Sequence, residues 1–254
     1  MGNGEVRKIA RAEAINLDFA TNGQYFVNGV AFHTGSTSTW TPACNEVVEA
    51  EGKALQKMKH PAMVKLLGTG TDNGRAFLRL EEIKGKTWRE ALSAVTPRHL
   101  REVAEILSET GRHGDIKPDN LMLDSHGDVR VIDPTVGIGD HSHMLTTRAY
   151  NPGFAATDIP ALGVTLLEVL LGQHPWEFAG SDGTLLPMSE ALREALQRAR
   201  AVGFAPPPYE RMKLGAPSKA QDLALRCIGL RYDGVTLDVG ETPKSVAEFA
   251  AALK

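Results

Sequence analysis

Of 254 residues, 42% are hydrophobic and 23% charged, the proportions of an ordinary globular chain long enough for one large domain or two packed lobes. Twenty-eight basic residues against 31 acidic ones leave a net charge of −3, which gives no sign of a nucleic-acid-binding or membrane-attracted surface. Two distant cysteines, Cys44 and Cys227, argue against a disulfide-stapled secreted fold, and no run reaches the ~18 apolar residues of a membrane span, so a cytoplasmic protein is expected.

The first third of the chain is strand-rich. Ile15, Leu17 and Phe19 alternate with polar neighbours, as a half-buried strand requires. Tyr25-Phe26-Val27 and Val30-Ala31-Phe32 flank Asn28-Gly29, a pair that tolerates positive φ and so predicts a hairpin. Thr41 as N-cap and Pro42 at the first helical position then open a helix. Its inward stripe is Cys44, Val48, Glu51, Leu55 and Met58. A carboxylate within that stripe is costly without a partner. Glu51 either tilts to the stripe's edge and into water or meets a cation. Two more strands are expected near 63–67 and 76–83.

Beyond residue 87 helices dominate. Thr96-Pro97 opens one with a Leu100, Val103, Ala104, Leu107 stripe. Ile159–Leu171 is apolar on nearly every side, which predicts a buried central helix ended by Gly172. Thr242-Pro243 opens the last helix, with Val246, Phe249, Ala250 and Leu253 inward. A small sheet with one helix followed by a helical body is an α+β, two-lobed plan. The division falls at about 1–83 and 86–254, within a single unit.

Chemistry concentrates in His113-Gly114-Asp115-Ile116-Lys117-Pro118-Asp119-Asn120 and the following Val131-Ile132-Asp133. Phosphoryl transfer needs a carboxylate beside the attacking hydroxyl and a cation on the moving group. It also needs an amide and a second carboxylate as magnesium ligands. The run resembles the catalytic loop and metal-binding Asp of the protein kinase family, in particular its eukaryotic-like (Hanks-type) serine/threonine members. That resemblance implies Asp115 as catalytic base, Lys117 at the γ-phosphate, and Asn120 and Asp133 on magnesium.

The likeness extends to both halves. His60-Pro61-Ala62-Met63-Val64 resembles the turn after the Glu-bearing helix, with Glu51 nine residues earlier where an ion-pairing Glu would stand. Residues 77–85 resemble the strand leading into the hinge. Leu80 would be the gatekeeper there, with the Glu81 and Ile83 backbones facing adenine and Ala31 and Met122 also at the nucleotide. Thr146-Thr147-Arg148-Ala149-Tyr150-Asn151-Pro152 resembles the end of an activation segment. Asp158-Ile159-Pro160-Ala161-Leu162-Gly163 resembles the start of the buried helix, whose Asp braces the catalytic loop. Leu170-Leu171-Gly172-Gln173-His174-Pro175-Trp176 continues the match, and 243–253 resembles the terminal helix.

Departures cluster at the phosphate site. The family's strand-three Lys would fall on His33, in Val30-Ala31-Phe32-His33, 18 residues before Glu51. A neutral imidazole grips phosphate less firmly than an ammonium. Protonation of His33 would restore charge; alternatively Lys8 or Lys53 reaches in from elsewhere. The glycine loop survives only as Gly2-Asn3-Gly4-Glu5-Val6 or is replaced by Ala20-Thr21-Asn22-Gly23, the register that keeps the hairpin beside Val-Ala-x-His. Asp133-Pro134-Thr135 keeps the carboxylate and loses the aromatic and the flexible Gly. Gly114 replaces an Arg that reads a phosphorylated segment. Gly153 and Thr242 replace both halves of a buried ion pair, which avoids stranding one charge.

Three functions compete. One is an ATP- and magnesium-dependent serine/threonine protein kinase acting on a protein hydroxyl. Another is a pseudokinase that serves as a nucleotide- or protein-binding scaffold. The third, a small-molecule phosphotransferase of the aminoglycoside-kinase type, is opposed by Lys117 and the blocks at 147–152 and 158–176. His126, His141 and His143 show no metal-ligand spacing and read as exposed loop residues. Trp40, Trp88 and Trp176 read as packing anchors.

Overall fold

The computed structural model describes residues 4–10, 17–20, 26–27, 30–31, 37–40, 44–135, 147, 150–151, 157–175, 218–232, 237–239 and 241–254. Strand β1 (Glu5–Ile9) is followed by two nested antiparallel pairs. In these, β2 (Leu17–Ala20) pairs with β5 (Thr37–Trp40), and β3 (Phe26–Val27) with β4 (Val30–Ala31). The β3–β4 register, Phe26 opposite Ala31 and Val27 opposite Val30, is the hairpin expected across positions 28 and 29. His33, Thr41 and Pro42 lie outside the described residues.

Helix α1 (Cys44–Lys57) buries Cys44, Val48, Glu51 and Leu55 of the expected stripe, and Met58 is buried just past its end. It packs on a three-stranded antiparallel sheet ordered β1-β7-β6, where β6 is Leu66–Asp72 and β7 is Arg75–Glu81. A Cβ on Gly52 would stand 2.9 Å from Leu78 Cδ2, so a glycine lets helix and sheet approach closely. The strand expected at 63–67 begins at Leu66 instead. Met63 and Val64 are buried and tied to Val131, Met63 by a parallel bridge and Val64 through its N–H to Val131 O at 2.9 Å. Their apolar side chains serve the core beneath the sheet rather than its ladder.

Residues 82–84 connect β7 to β8 (Gly85–Thr87), which forms a second sheet, β8-β9-β10, with β9 (Leu121–Asp124) and β10 (Val129–Val131). Helix α2 (Pro97–Thr110) starts as expected. The Thr96 side chain caps the third helical residue, and the His99 ring accepts the Thr96 N–H at 3.0 Å. Helix α3 (Ile159–Leu171) is buried over most of its length and closes on Gly172 at φ 72°.

It packs on α4 (Lys219–Cys227) so tightly that a Cβ on Gly163 would stand 2.4 Å from Cys227 Cβ. Both cysteines are buried, and Trp88 is fully buried. After a short pair, β11 (Leu230–Tyr232) with β12 (Leu237–Val239), comes helix α5 (Val246–Ala252). It begins three residues later than its Thr-Pro signal. The Ser245 side chain accepts the Glu248 N–H at 3.1 Å, a cap that Pro243 cannot support from further out.

Candidate active site

The loop from His113 to Asn120 is built on buried hydrogen bonds. Asp158, just before α3, accepts the His113 N–H at 2.7 Å and the Gly114 N–H at 2.8 Å, the bracing expected of it. The His113 ring is fully buried. Its Nδ1 accepts the Asp115 N–H at 3.2 Å and its Nε2 reaches Ile132 O at 2.8 Å, which fixes the proton on Nε2. An imidazole thus bonds the strand leading to Asp133 to the loop carrying Asp115. A backbone bond from Ile132 N–H to Asn120 O at 3.0 Å adds a second tie.

Asp115 sits at the focus. Its Oδ2 lies 2.8 Å from Lys117 Nζ and accepts Asn120 Nδ2 at 3.0 Å. Its Oδ1 accepts the Thr147 N–H at 2.6 Å, while Lys117 Nζ donates to Thr147 Oγ1 at 2.7 Å. Asn120 spends its amide N–H groups on Asp115, on the backbone O at 2.8 Å as well as on the carboxylate. That orientation turns its Oδ1, the atom a hard cation would use, away from the bond. Thr147 belongs to a segment already legible in the sequence, but its hold on both Asp115 and Lys117 carried no local signature.

Asp133 stands at the rim. Its side chain is 44% exposed and its backbone has φ 59°, the left-handed region. A residue before proline is pushed toward extended backbone, so this conformation is held against its local preference. The Thr135 N–H to His113 O bond, 2.7 Å, secures the chain just beyond it.

The cation beside Glu51 is Lys8, from β1. Its Nζ lies 2.7 Å from Glu51 Oε2 and bonds Asp133 Oδ1 as well. Lys8 opposes Leu78 across the β1–β7 ladder, and directly opposed residues share a face, here the one α1 covers. Two carboxylates outweigh the cost of burial at Lys8, so its pKa is raised. At Glu51 the balance reverses. Burial is the largest effect, Asp133 adds to it, Lys8 opposes it, and the pKa is pushed up to about 7. Glu51 Oε1 is buried without a hydrogen-bond partner. Glu51 is therefore not tilted into water; it has the cation partner that the other reading required.

The remaining expected site residues are distributed as follows. Leu80 is buried in β7, opposite Val6 on one side and Leu66 on the other. The Glu81 N–H bonds Lys65 O at 3.0 Å, and its carboxylate bonds the Lys65 N–H at 2.9 Å and pairs with Arg130. Ile83 lies in the link 82–84, and Met122 is half-buried in β9 opposite Arg130 and Thr87. Ala31 belongs to a two-stranded sheet separate from β1-β7-β6. A cavity of about 910 Å³, lined by the end of α1, residues 58–61 and 63–69, Glu81 and Arg130, includes none of Asp115, Lys117, Asn120 or Asp133.

Magnesium fits the donors present. Among the described residues no group of three His, Cys, Asp or Glu side chains could form an all-protein cage. An amide oxygen and one half-exposed carboxylate suit an ion that keeps waters and binds through substrate phosphates.

Next to this loop, the end of the segment carrying Thr147 is clamped. Arg89, after β8, pairs with buried Glu168 of α3, bonds the Tyr150 hydroxyl and lies 3.3 Å from Asp119. Tyr150 donates to Glu168 Oε2 at 2.6 Å, and burial together with that carboxylate raises its pKa. This clamp was not legible in the sequence, because its members lie 61 and 79 positions apart.

The protein kinase domain pattern matches residues 30–231. Among characterised relatives, the serine/threonine-protein kinase PrkC of Bacillus subtilis is 25% identical over 195 residues, covering 66% of this chain and 30% of its own. The serine/threonine-protein kinase PknL of Mycobacterium tuberculosis is 30% identical over 184 residues, covering 62% of this chain and 45% of its own. The chain thus spans less than half the length of these relatives. Of solved structures, the apo form of PpkA-294 superposes with a TM-score of 0.53 at 17% identity, covering 83% of this chain and 76% of that one. Rad53 1-466, solved with AMP-PNP, gives 0.51 at 18% identity, covering 82% and 55%. At those identities the superpositions speak for the fold alone. The match across most of the sequence, falling on a loop whose Asp, Lys and Asn are joined by direct bonds, makes this chain a member of the protein kinase family.

Proposed function

We propose that this chain is an ATP- and magnesium-dependent serine/threonine protein kinase that transfers the γ-phosphate of ATP to a protein hydroxyl. The observation that carries the reading is the set of bonds joining Asp115, Lys117 and Asn120, tied through Ile132 to Asp133. In this reading the Asp115 carboxylate orients the substrate hydroxyl and accepts its proton. Lys117, 2.8 Å from it, neutralises charge on the group in flight. Asn120 and Asp133 would hold magnesium, which when bound would supply positive charge against the phosphates.

Thr147 supports the same assignment. By bonding both Asp115 and Lys117 it joins the segment expected to meet the substrate to the two residues that act on it. Before a hydroxyl can approach, the Thr147 N–H must release or share Asp115 Oδ1.

The test is transfer of labelled phosphate from ATP to generic protein substrates by wild type and by Asp115→Ala. Loss of a positioned base lowers the rate about 10²–10⁴-fold. Equal incorporation by the two proteins would remove the assignment.

A second reading, a pseudokinase that binds nucleotide or protein without transfer, draws on one observation. Lys8 bonds the same Asp133 carboxylate that magnesium requires. It predicts ATP binding with no incorporation by wild type.

A further inference from the structure

We propose that the cavity at the end of α1 is a docking site for an extended acidic segment of a partner protein, one in which a bulky apolar side chain is flanked by aspartate or glutamate. The cavity contains none of Asp115, Lys117, Asn120 or Asp133, so its occupant need take no part in phosphoryl transfer.

Its shape suits an extended chain. About 910 Å³ is room for several side chains. Leu55, Met58, Met63 and Val64 are buried and form an apolar floor. Leu67, also in the lining, is 38% exposed and is one of only three large apolar side chains standing that far out among the described residues. Strand β6 supplies the lining at 66–69 and, among the described residues, pairs with β7 alone. Its other edge therefore keeps main-chain donors and acceptors that a further strand could use. An extended segment added there would send alternate side chains into the cavity.

Charge selects the kind of segment. The lining carries Lys59, Lys65 and Arg130 against a single carboxylate, Glu81. Glu81 is already engaged: it accepts the Lys65 N–H at 2.9 Å and pairs with Arg130. Lys59 and Lys65 are exposed, and among the described residues neither ammonium has a carboxylate partner. A chain of net charge −3 thus sets two unpaired cations over an apolar floor. A smaller cleft of about 340 Å³, between the middle of α1 and the β6–β7 turn, carries one acid and one cation, Glu49 and Lys53, and so favours neither sign.

The number of cations excludes larger polyanions. Anionic membranes are held by clusters of about four to eight lysines and arginines, and duplex nucleic acid by a comparable set of phosphate contacts. Two ammonium groups fall short of either, and an apolar floor offers nothing to a sugar-phosphate backbone. Carboxylates on both sides of one apolar anchor match the charge and the floor together.

The experiment measures fluorescence anisotropy of a labelled peptide in which glutamate alternates with leucine, beside one in which lysine replaces glutamate. The proteins are wild type, the double variant Lys59→Glu with Lys65→Glu, and Lys86→Glu, whose exposed lysine on β8 lies outside the cavity. Wild type should bind the acidic peptide at least tenfold more tightly than the basic one. The double variant should lose at least tenfold of that affinity, and Lys86→Glu should stay within threefold of wild type. Amide exchange on wild type should slow at residues 66–69 when the acidic peptide is added. No binding by wild type, equal binding of the two peptides, or an acidic preference kept by the double variant overturns the proposal. Sedimentation of the same proteins tests the other occupant: self-association of wild type, abolished in the double variant, overturns the partner in favour of a second copy of this chain. Should the double variant fail to fold, the exchange map decides, and protection confined to residues outside the cavity overturns the proposal. Acidic-peptide binding with protection at 66–69 upholds it whether or not the chain transfers phosphate.

Discussion

Glu51 is where the energetics of the site are most exposed to measurement. Burial holds its pKa at about 7, against about 4.5 in an unfolded chain. The folded protein thus keeps a proton that the unfolded chain has lost. Stability falls as pH rises from about 4.5 to about 7, by about 3 kcal/mol. Chemical denaturation across that range should show the slope in wild type and lose it in Glu51→Gln. Activity should run the other way. The Lys8–Glu51 ion pair exists only with Glu51 ionised, so kcat/KM for ATP should drop as pH falls through about 7. A profile with no inflection near 7 would show that the pair does not matter to turnover. The residues of the loop from His113 to Asn120 were legible in the sequence because their types and spacing are local. Lys8 was legible only as one of several cations, since it meets its partners 43 and 125 positions away.

Between elements, the clamp of Arg89, Glu168 and Tyr150 does what the missing pair at Gly153 and Thr242 cannot. It ties the segment carrying Thr147 to α3 through a buried carboxylate. Removing one member of a buried ion pair strands the other, at a cost on the order of 3 kcal/mol. Arg89→Met should therefore lose about that much stability in urea denaturation. Arg89→Met with Glu168→Leu should recover a good part of it, because no lone charge remains. Equal stability of Arg89→Met and wild type would reduce the clamp to a surface contact. Helices α1, α2 and α3 were readable because each writes its buried face as a stripe or an unbroken apolar run. Strand β1 was not. Glu5-Val6-Arg7-Lys8-Ile9 buries little surface, with Val6 and Ile9 exposed, so it shows no clean alternation. A strand that is charged because it serves a site hides from a reading based on burial.

At the scale of the whole chain, sheet, link and helical body follow the two-lobed α+β plan, and the acids and cations of interest come from both sides of the link at 82–84. Lys8 and Glu51 belong to the sheet and its helix, Asp115, Lys117 and Asn120 to the loop after α2; Asp133 bonds Lys8, and its neighbours Ile132 and Thr135 bond the loop. The plan was legible because a run of strands followed by a run of helices admits few packings. At this junction Asp133 and Asn120 are proposed to complete a magnesium–nucleotide site. Calorimetric titration of ATP in magnesium and in EDTA, on wild type and Asp133→Asn, tests it most directly. Magnesium should tighten ATP binding to wild type at least tenfold and leave binding to Asp133→Asn nearly unchanged. Equal affinity in magnesium and EDTA for wild type, or a magnesium effect that survives in Asp133→Asn, would contradict it.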